Sequence, residues 1–564
     1  MKYLLAAEAD RIQDLLFRSS KLREVAGGSL LLSRFCEEMP ELLAGQLGIG
    51  DMKVITHGGG SFYLTFDTEA NARRFGPALA EVYARALGGT LSYAEPVGYA
   101  EDPEYVNASK EAGKNLRQAK RSGAVAAMEQ MPYIAFCESC GVGLAEAHEM
   151  RFAAEDSHYY CHTCRVKAAE YASHHQQGFL QAFNRDVIVE EAIFEQPDWQ
   201  DDKGNSQQCD ALIEREGFSL LDEPEDIATY DARNYVAYIV ADGNGMGKIF
   251  SQCNAEQAKA LSQFMDIALR RALAKAMRVF RENQIYTDKE DKRIPAMPLI
   301  MGGDDLFALV PAPFALDIAG RMCAEFQAMM TSFVDKLDFK DENGEPLVIT
   351  ITMSAAVVIC KANYPYYLAH ALGEDRLGET KRIVKALAAK EHLNLSAVDF
   401  EVVYSSQLEK KASAGDVRAT LRPYWVTDHP LPEGWGLNLQ TLLDARRHLA
   451  QALASRRRSQ LRALFDDLSD QETWNRDIKV LLARIEPGWE NPKQDADPKD
   501  QAKLFPLATT LKDLGGIEMS TWLAINRLYD GETWQGHGIG DLLRFWDWTL
   551  DLDRAPDEYE GGVL

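Results

Sequence analysis

Apolar and polar positions change period several times along the chain, and these changes mark its elements. Residues 2–7 (KYLLAA) form a short apolar run that predicts a strand, followed by a helical pattern through Phe35. Residues 53–66 (KVITHGGGSFYLTF) predict two strands around a glycine turn, 68–87 a helix, and 104–130 a helix with few breakers. A polar stretch around 196–208 reads as a surface loop. From Asn234 the alternation sharpens: strand 235–241 (YVAYIVA), a glycine-rich turn, a long helix over 255–283, strand 298–301 (PLIM), a Gly-Gly turn and strand 306–310 (LFALV). A helix over 313–337, a β-branched strand over 347–360, a helix over 365–390 and a strand near 398–404 follow. Strands alternating with helices, with one tight hairpin, predict a ferredoxin-like βαββαβ core. Residues 1–90 repeat the order of 234–360, which predicts a duplicated domain. Beyond about residue 410 the pattern is mostly helical, punctuated by proline and glycine, and no short-period repeat is evident.

Length and charge narrow this picture. At ~150 residues per domain, 564 residues correspond to about four domains. Lysine and arginine total 61 against 86 acidic residues, a net charge of −25, so the bulk surface is unsuited to coating nucleic acid and any such contact must come from a local basic patch. Lys110, Lys114, Arg117 and Arg121 form such a patch by sharing one helical face; RNA phosphates or plain solvent are equally open as its counterpart. No apolar run approaches the ~18 residues of a membrane span, and Glu8 and Asp10 interrupt the apolar start too early for a signal peptide. A cytoplasmic protein without a membrane partner is expected.

The nine cysteines divide into two kinds. Cys36, Cys209, Cys253, Cys323 and Cys360 are scattered and read as small buried hydrophobes. Cys137-x-x-Cys140 and Cys161-x-x-Cys164, separated by twenty residues, have the spacing of a structural Zn²⁺ site, in which thiolates close a tetrahedral shell and staple a segment with little core of its own. His148, His158 and His162 are near enough to substitute, but four cysteines already complete the shell.

The most informative residues are Met301-Gly302-Gly303-Asp304-Asp305-Leu306-Phe307, an acidic turn between apolar strands. Adjacent carboxylates at a tight turn repel; a divalent cation removes that cost and supplies hard-cation chemistry. Val240-Ala241-Asp242-Gly243-Asn244-Gly245-Met246-Gly247 places Asp242 at the end of an apolar strand, ahead of a glycine-rich stretch suited to cradling a triphosphate. Neighbouring strands in a ferredoxin-like sheet would bring Asp242, Asp304 and Asp305 together as ligands of two Mg²⁺ or Mn²⁺ ions, which activate a ribose hydroxyl and stabilise leaving pyrophosphate.

Together these motifs resemble the palm of the polymerase/cyclase large subunit of type III CRISPR effector complexes (Cmr/Csm type), related to the GGDEF nucleotide cyclases. Ser354–Ile359, Asn363-Tyr364-Pro365 and the helix to Lys381 and Lys385 extend the resemblance, as do Ala9–Gln13 and Leu22–Ser29 near the start. The resemblance implies α+β architecture: a degenerate first palm over 1–130, a zinc-binding segment over 131–226, a catalytic second palm over 227–410 and a helical C-terminal domain over 411–564. It places Lys381 and Lys385 toward the triphosphate, with Gly243, Asn244, Gly245, Met246, Gly302, Gly303 and Ser354 around the nucleotide. In the first palm the acidic turn is replaced by Gly58-Gly59-Gly60-Ser61, so that copy is expected to be non-catalytic and to bind the second nucleotide through Gly59, Gly60 and Ser61. Many family members carry aspartate where this chain has Asn244, which lowers the expected ligand count. The family often opens with a histidine-aspartate nuclease domain; no His-Asp dipeptide occurs here, and DNA cleavage is not expected.

The implied function is the target-RNA-triggered joining of ATP into cyclic oligoadenylates, within a complex holding guide RNA, a small helical subunit and a subunit that caps the guide's repeat tag. Joining ATP to S-adenosylmethionine, a non-catalytic scaffold and a stand-alone nucleotide cyclase are the competing readings, and the motifs do not separate the two ATP chemistries.

Overall fold

The computed structural model describes residues 1–564 other than 20, 101, 123–134, 151–156, 175–179, 188–218, 221–223, 283–292, 338, 340–348, 405–412, 415–416, 451, 467, 469, 491–503, 528–531 and 549–564. The expected loop at 196–208, Cys209 and the end of the 104–130 helix lie outside the described residues.

The first sheet is built on strand Lys2–Asp10. Ser61–Phe66 pairs on one side of it, Thr90–Tyr93 and Val97–Tyr99 on the other, and Lys53–Gly58 pairs with Ser61–Phe66 at the edge, all antiparallel. Helices Ile12–Phe17, Leu22–Leu47, Glu69–Leu87 and Asp102–Ser122 accompany it. The second sheet is built on Tyr235–Gly243 and runs in the order Met297–Gly302, Asp305–Pro311, Tyr235–Gly243, Met353–Lys361, Ser396–Val402, Tyr424–Val426. Counting strands in chain order, the first four of each sheet lie second–third–first–fourth. This is the ferredoxin-like order, present twice.

Tyr235–Gly243 reads as an unbroken apolar run because both its faces are covered. Ala237, Ile239 and Ala241 share a core with helices Ala255–Ala276 and Ala315–Val334. Val236, Tyr238 and Val240 pack with Tyr366, Ala369 and Leu377 of helix Tyr366–Glu391. That helix comes close because Gly373 faces the sheet: a Cβ there would lie 2.4 Å from Val240. Helix Ala255–Ala276 starts at a capping box, with Asn254 and Gln257 each taking the other's backbone N–H.

Two expectations need adjusting. Of the β-branched run expected as a strand over 347–360, residues 347–348 lie outside the described residues and 349–352 are not strand; the strand starts at Met353, because its partner ends at Gly243, paired with Met353. The region after 410 has its helices, but they are joined by a small sheet of Ser413–Ala414, Val417–Arg418, Glu532–Gly536 and Leu523–Arg527, and Tyr424–Val426 pairs with the second main sheet. Strands of two to five residues are too short to show a period of two.

The two sheet units pack reciprocally. Leu22–Leu47 of the first packs against Met297–Gly302 of the second, and Ala255–Ala276 of the second against Lys53–Gly58 of the first. Phe17 seals the contact, its ring centroid 3.9 Å from that of His370 and 5.2 Å from that of Phe307. The two glycine-turn hairpins therefore border one shared cavity.

Candidate functional site

Strand register builds the site. Gly302 pairs with Asp305 across the acidic hairpin, and Leu306 pairs with Ala241, which sets Asp305 beside Asp242 at the next rung. Carboxylate oxygens of Asp242, Asp304 and Asp305 lie within 4.8 Å of one another. Gly243 permits this: a Cβ there would stand 2.7 Å from Asp304 Oδ2 and 2.9 Å from Asp304 Cβ. Lys381 Nζ donates to Asp242 Oδ2. Burial, then the charges of Asp242 and Asp305, pushes Asp304 well above the usual carboxylate range. Burial, then Asp242, pushes Asp305 up to about 7, with Lys381 opposing. Three converging, partly desolvated carboxylates with one lysine partner suit hard divalent cations, whose charge removes the repulsion.

The cavity between the two units measures about 550 Å³. Asp242, Gly302 and Asp305 line it from one side and Gly58 and Gly59 from the other. The remaining expected residues are placed as follows. Gly303, at φ 63°, donates its N–H to Asp266 Oδ1 (2.5 Å). Asn244 is turned inward, its Nδ2 donating to Thr352 Oγ1 (3.0 Å) and its Oδ1 accepting from Ser354 Oγ (2.8 Å). Ser354 is fully buried, and Met246 is buried in the core, so both pack rather than face the cavity. Gly245, at φ 72°, starts the short helix Met246–Phe250. Lys385 is exposed, one turn beyond Lys381. Gly60 packs on Ile12 and Ala9, and Ser61 is half-buried opposite Glu8.

The cavity also holds residues the sequence reading missed: Gln13, His57, Asp266, Arg270 and Glu374. Burial raises Glu374, and the charge of Asp242 adds to the rise. Its spacing of seven residues from Lys381, two helical turns on one face, was a usable signal. Asp266 and His57 carried none, because only packing of separate segments brings them to the acidic turn.

Register also relates the two units position by position. Glu8 pairs with Ser61 and Ser92, where Asp242 adjoins Asp305 and pairs with Ser354. Lys120 bridges Glu8 (2.8 Å), where Lys381 bridges Asp242. Ser92 Oγ donates to Asp10 Oδ2 (2.7 Å), where Ser354 Oγ donates to Asn244.

The four paired cysteines form a second cluster, with sulfurs within 4.8 Å of one another. Cys140 and Cys161 sulfurs are 3.8 Å apart, the separation of two thiolates each ~2.3 Å from a tetrahedral zinc. Gly143 N–H donates to Cys140 Sγ (3.3 Å) and Cys164 N–H to Cys161 Sγ (3.5 Å), as suits thiolates. Lys167, buried on the following helix, donates to the carbonyls of Leu15 and Leu16. Buried Glu24 accepts from Ser139 inside the first cysteine pair (2.5 Å). The cluster thereby grips the segment that borders the cavity. The basic stripe, Lys110, Lys114, Arg117 and Arg121, is exposed along helix Asp102–Ser122. Among the described residues no helix is long and apolar enough to cross a membrane.

Residues 235–389 match the family described as Cas10/Cmr2, second palm domain. The fold is similar to the crystal structure of a Csm1-Csm4 cassette in complex with cA4, with 14% identity, a TM-score of 0.50, and coverage of 91% of this chain and 68% of that one. It is similar likewise to Csm1 of T. onnurineus, with 13% identity, a TM-score of 0.50, and coverage of 97% and 70%. No curated protein matches the sequence. The resemblance therefore holds for residues 235–389, which match the Cas10/Cmr2 second palm, and the fold of the chain is similar to that of Csm1.

Proposed function

We propose that the palm of residues 235–391 is a nucleotidyltransferase that joins ATP into cyclic oligoadenylates, within the large subunit of a type III RNA-guided effector complex. The observation that carries this reading is the convergence of Asp242, Asp304 and Asp305, of which Asp242 and Asp305 line a cavity shared with the first palm. Two Mg²⁺ or Mn²⁺ ions held there would polarise the α-phosphate and lower the pKa of the attacking 3′-hydroxyl. The protein's own part is positioning. Lys381 sits beside Asp242 within reach of incoming phosphate charge, Gly302 lines the cavity, Gly243 admits Asp304, and Gly58 and Gly59 leave room opposite for the second nucleotide. A cavity of about 550 Å³ is of the size that small-molecule ligands occupy. Zinc on the four cysteines is structural in this reading. Guide and target RNA, a small helical subunit and a guide-capping subunit are the partners, and target RNA is the trigger.

The test is mass spectrometry of products from the purified complex, given ATP, Mn²⁺ and guide-matched target RNA, with and without S-adenosylmethionine. Target-dependent oligoadenylates that vanish in Asp304→Ala/Asp305→Ala are expected. An intact complex that yields no nucleotide product would leave a scaffold, and a product containing S-adenosylmethionine would replace the acceptor.

A further inference from the structure

Asp266 lies in no motif. It sits within helix Ala255–Ala276, which packs against the first palm's hairpin strand, and it lines the shared cavity with Arg270 one turn later. Its Oδ1 accepts the N–H of Gly303 at 2.5 Å. Gly303 is the left-handed residue of the acidic turn, at φ 63°, and immediately precedes Asp304. His57 of the first hairpin lines the same cavity, and its Nδ1 is buried without a hydrogen-bond partner among the described residues. Asp266 therefore shares the cavity with both hairpins. Arg270 is itself tied to Asp186 (2.5 Å), which anchors this part of the helix.

The acidic turn has a mechanical problem. Asp304 and Asp305 lie against Asp242, and before a cation arrives their charges push the tip away from the strand beside it. The antiparallel ladder holds the hairpin as far as the Gly302–Asp305 pair, and beyond that rung the turn depends on other contacts. A half-buried carboxylate oxygen on the Gly303 amide supplies one, from a separate element, helix Ala255–Ala276. Hydrogen bonds to a charged acceptor are the stronger kind.

We propose that Asp266 is a positioning residue for metal binding: through the Gly303 amide it presets the acidic turn so that Asp304 and Asp305 receive a divalent cation without rearrangement. The inference rests on the palm reading above, and its test separates the two. The readout is Mn²⁺ binding by electron paramagnetic resonance to the intact chain, alongside kcat, the KM for ATP and the apparent Mn²⁺ constant in the assembled complex. Asp266→Ala removes the acceptor and is expected to weaken Mn²⁺ binding by ~10-fold or more, with the KM for ATP at saturating Mn²⁺ unchanged. Asp266→Asn keeps an oxygen for Gly303 and is expected to restore binding to within ~5-fold of wild type. Should Asp266→Ala not fold, Asp266→Ser, too short to reach the amide, takes its place. Wild-type Mn²⁺ affinity in the alanine or serine variant, or an asparagine variant as weak as these, would overturn the proposal. Failure of the palm reading looks different: the wild-type complex would bind Mn²⁺ and form no nucleotide product.

Discussion

The two palms share a strand order and a reciprocal packing scheme, yet they differ sharply at one turn. In the second palm the turn is Gly302-Gly303-Asp304-Asp305, with positive φ at Gly303 alone. In the first it is Gly58-Gly59-Gly60-Ser61, with positive φ at both Gly59 (54°) and Gly60 (78°). Around this turn the first palm keeps a great deal: Glu8 in place of Asp242, Asp10 in place of Asn244, Ser92 in place of Ser354 and Lys120 in place of Lys381. The difference is therefore more than a pair of missing carboxylates. The backbone has taken the conformation that three glycines allow, and a Cβ at Gly60 would stand 2.6 Å from Ile12 Cδ1. The first turn thus lacks carboxylates and has a different backbone, while the strands on either side carry polar residues at the matching register positions.

The most direct way to break the comparison is to make the palms alike by removal. Asp304→Ala/Asp305→Ala should cut product formation by ~10³-fold or more, since metal stabilisation is worth several kcal/mol. Ser61→Ala, the matching change in the first palm, should leave Mn²⁺ binding unchanged by paramagnetic resonance.

The next test concerns what ties the palms together. Lys167 and Glu24 connect the cysteine cluster to residues 15–24 at the palm interface. Cys161→Ser, or zinc removal by a chelator, should lower unfolding free energy by ~4 kcal/mol or more, read by calorimetry with zinc content measured in parallel.

Lysine substitutions sharpen the comparison further. Lys381→Met should raise the apparent ATP constant by ~10-fold, because a phosphate partner beside Asp242 is lost. Lys120→Met, at the corresponding place, should change it by ~2-fold at most, since its half-exposed pair with Glu8 contributes little and the Gly58–Ser61 turn beside it carries no carboxylates. Restoring carboxylates where they lapsed should fail: Gly60→Asp/Ser61→Asp is expected to cost ~2 kcal/mol in denaturant unfolding and to add no Mn²⁺ site, because a side chain at Gly60 meets both positive φ and Ile12.

The smallest effect is in pH. Asp305 is raised from 3.8 to about 7, so in metal-free protein its protonated form favours the fold. A raised carboxylate contributes stability below its unfolded value and loses that contribution as pH rises through its folded value. Between pH 4 and 7 the Asp305→Asn variant should therefore gain stability on metal-free wild type, levelling above pH 7, as read by denaturant unfolding across that range; solvent exposure of Asp305 keeps the gain small. Saturating Mn²⁺ should abolish the difference in slope.

Much of this site was legible in the chain. Asp242, Asp304 and Asp305 stand at the ends of apolar strands, where period and turn chemistry already constrain their position, and the four cysteines announce themselves by spacing. Lys381 and Lys385 looked equivalent as helix lysines, and only the packing of helix Tyr366–Glu391 turned one onto Asp242 and left the other in solvent. Gly243 read as part of a phosphate cradle and proved to be the gap that admits Asp304. Asn244 and Ser354 read as nucleotide contacts and proved to bond each other inward.

Local pattern determined the longer strands and helices, the duplicated order, the acidic turn and the candidate ligand types, because strand periodicity, glycine turns and thiol spacing act over a few residues. Tertiary structure alone decided which residues share the cavity. Asp266, His57, Gln13 and Glu374 come from four separate segments, and their meeting depends on how two sheets and their helices bury apolar surface against each other. That burial has no local period, and so no stretch of sequence displays it.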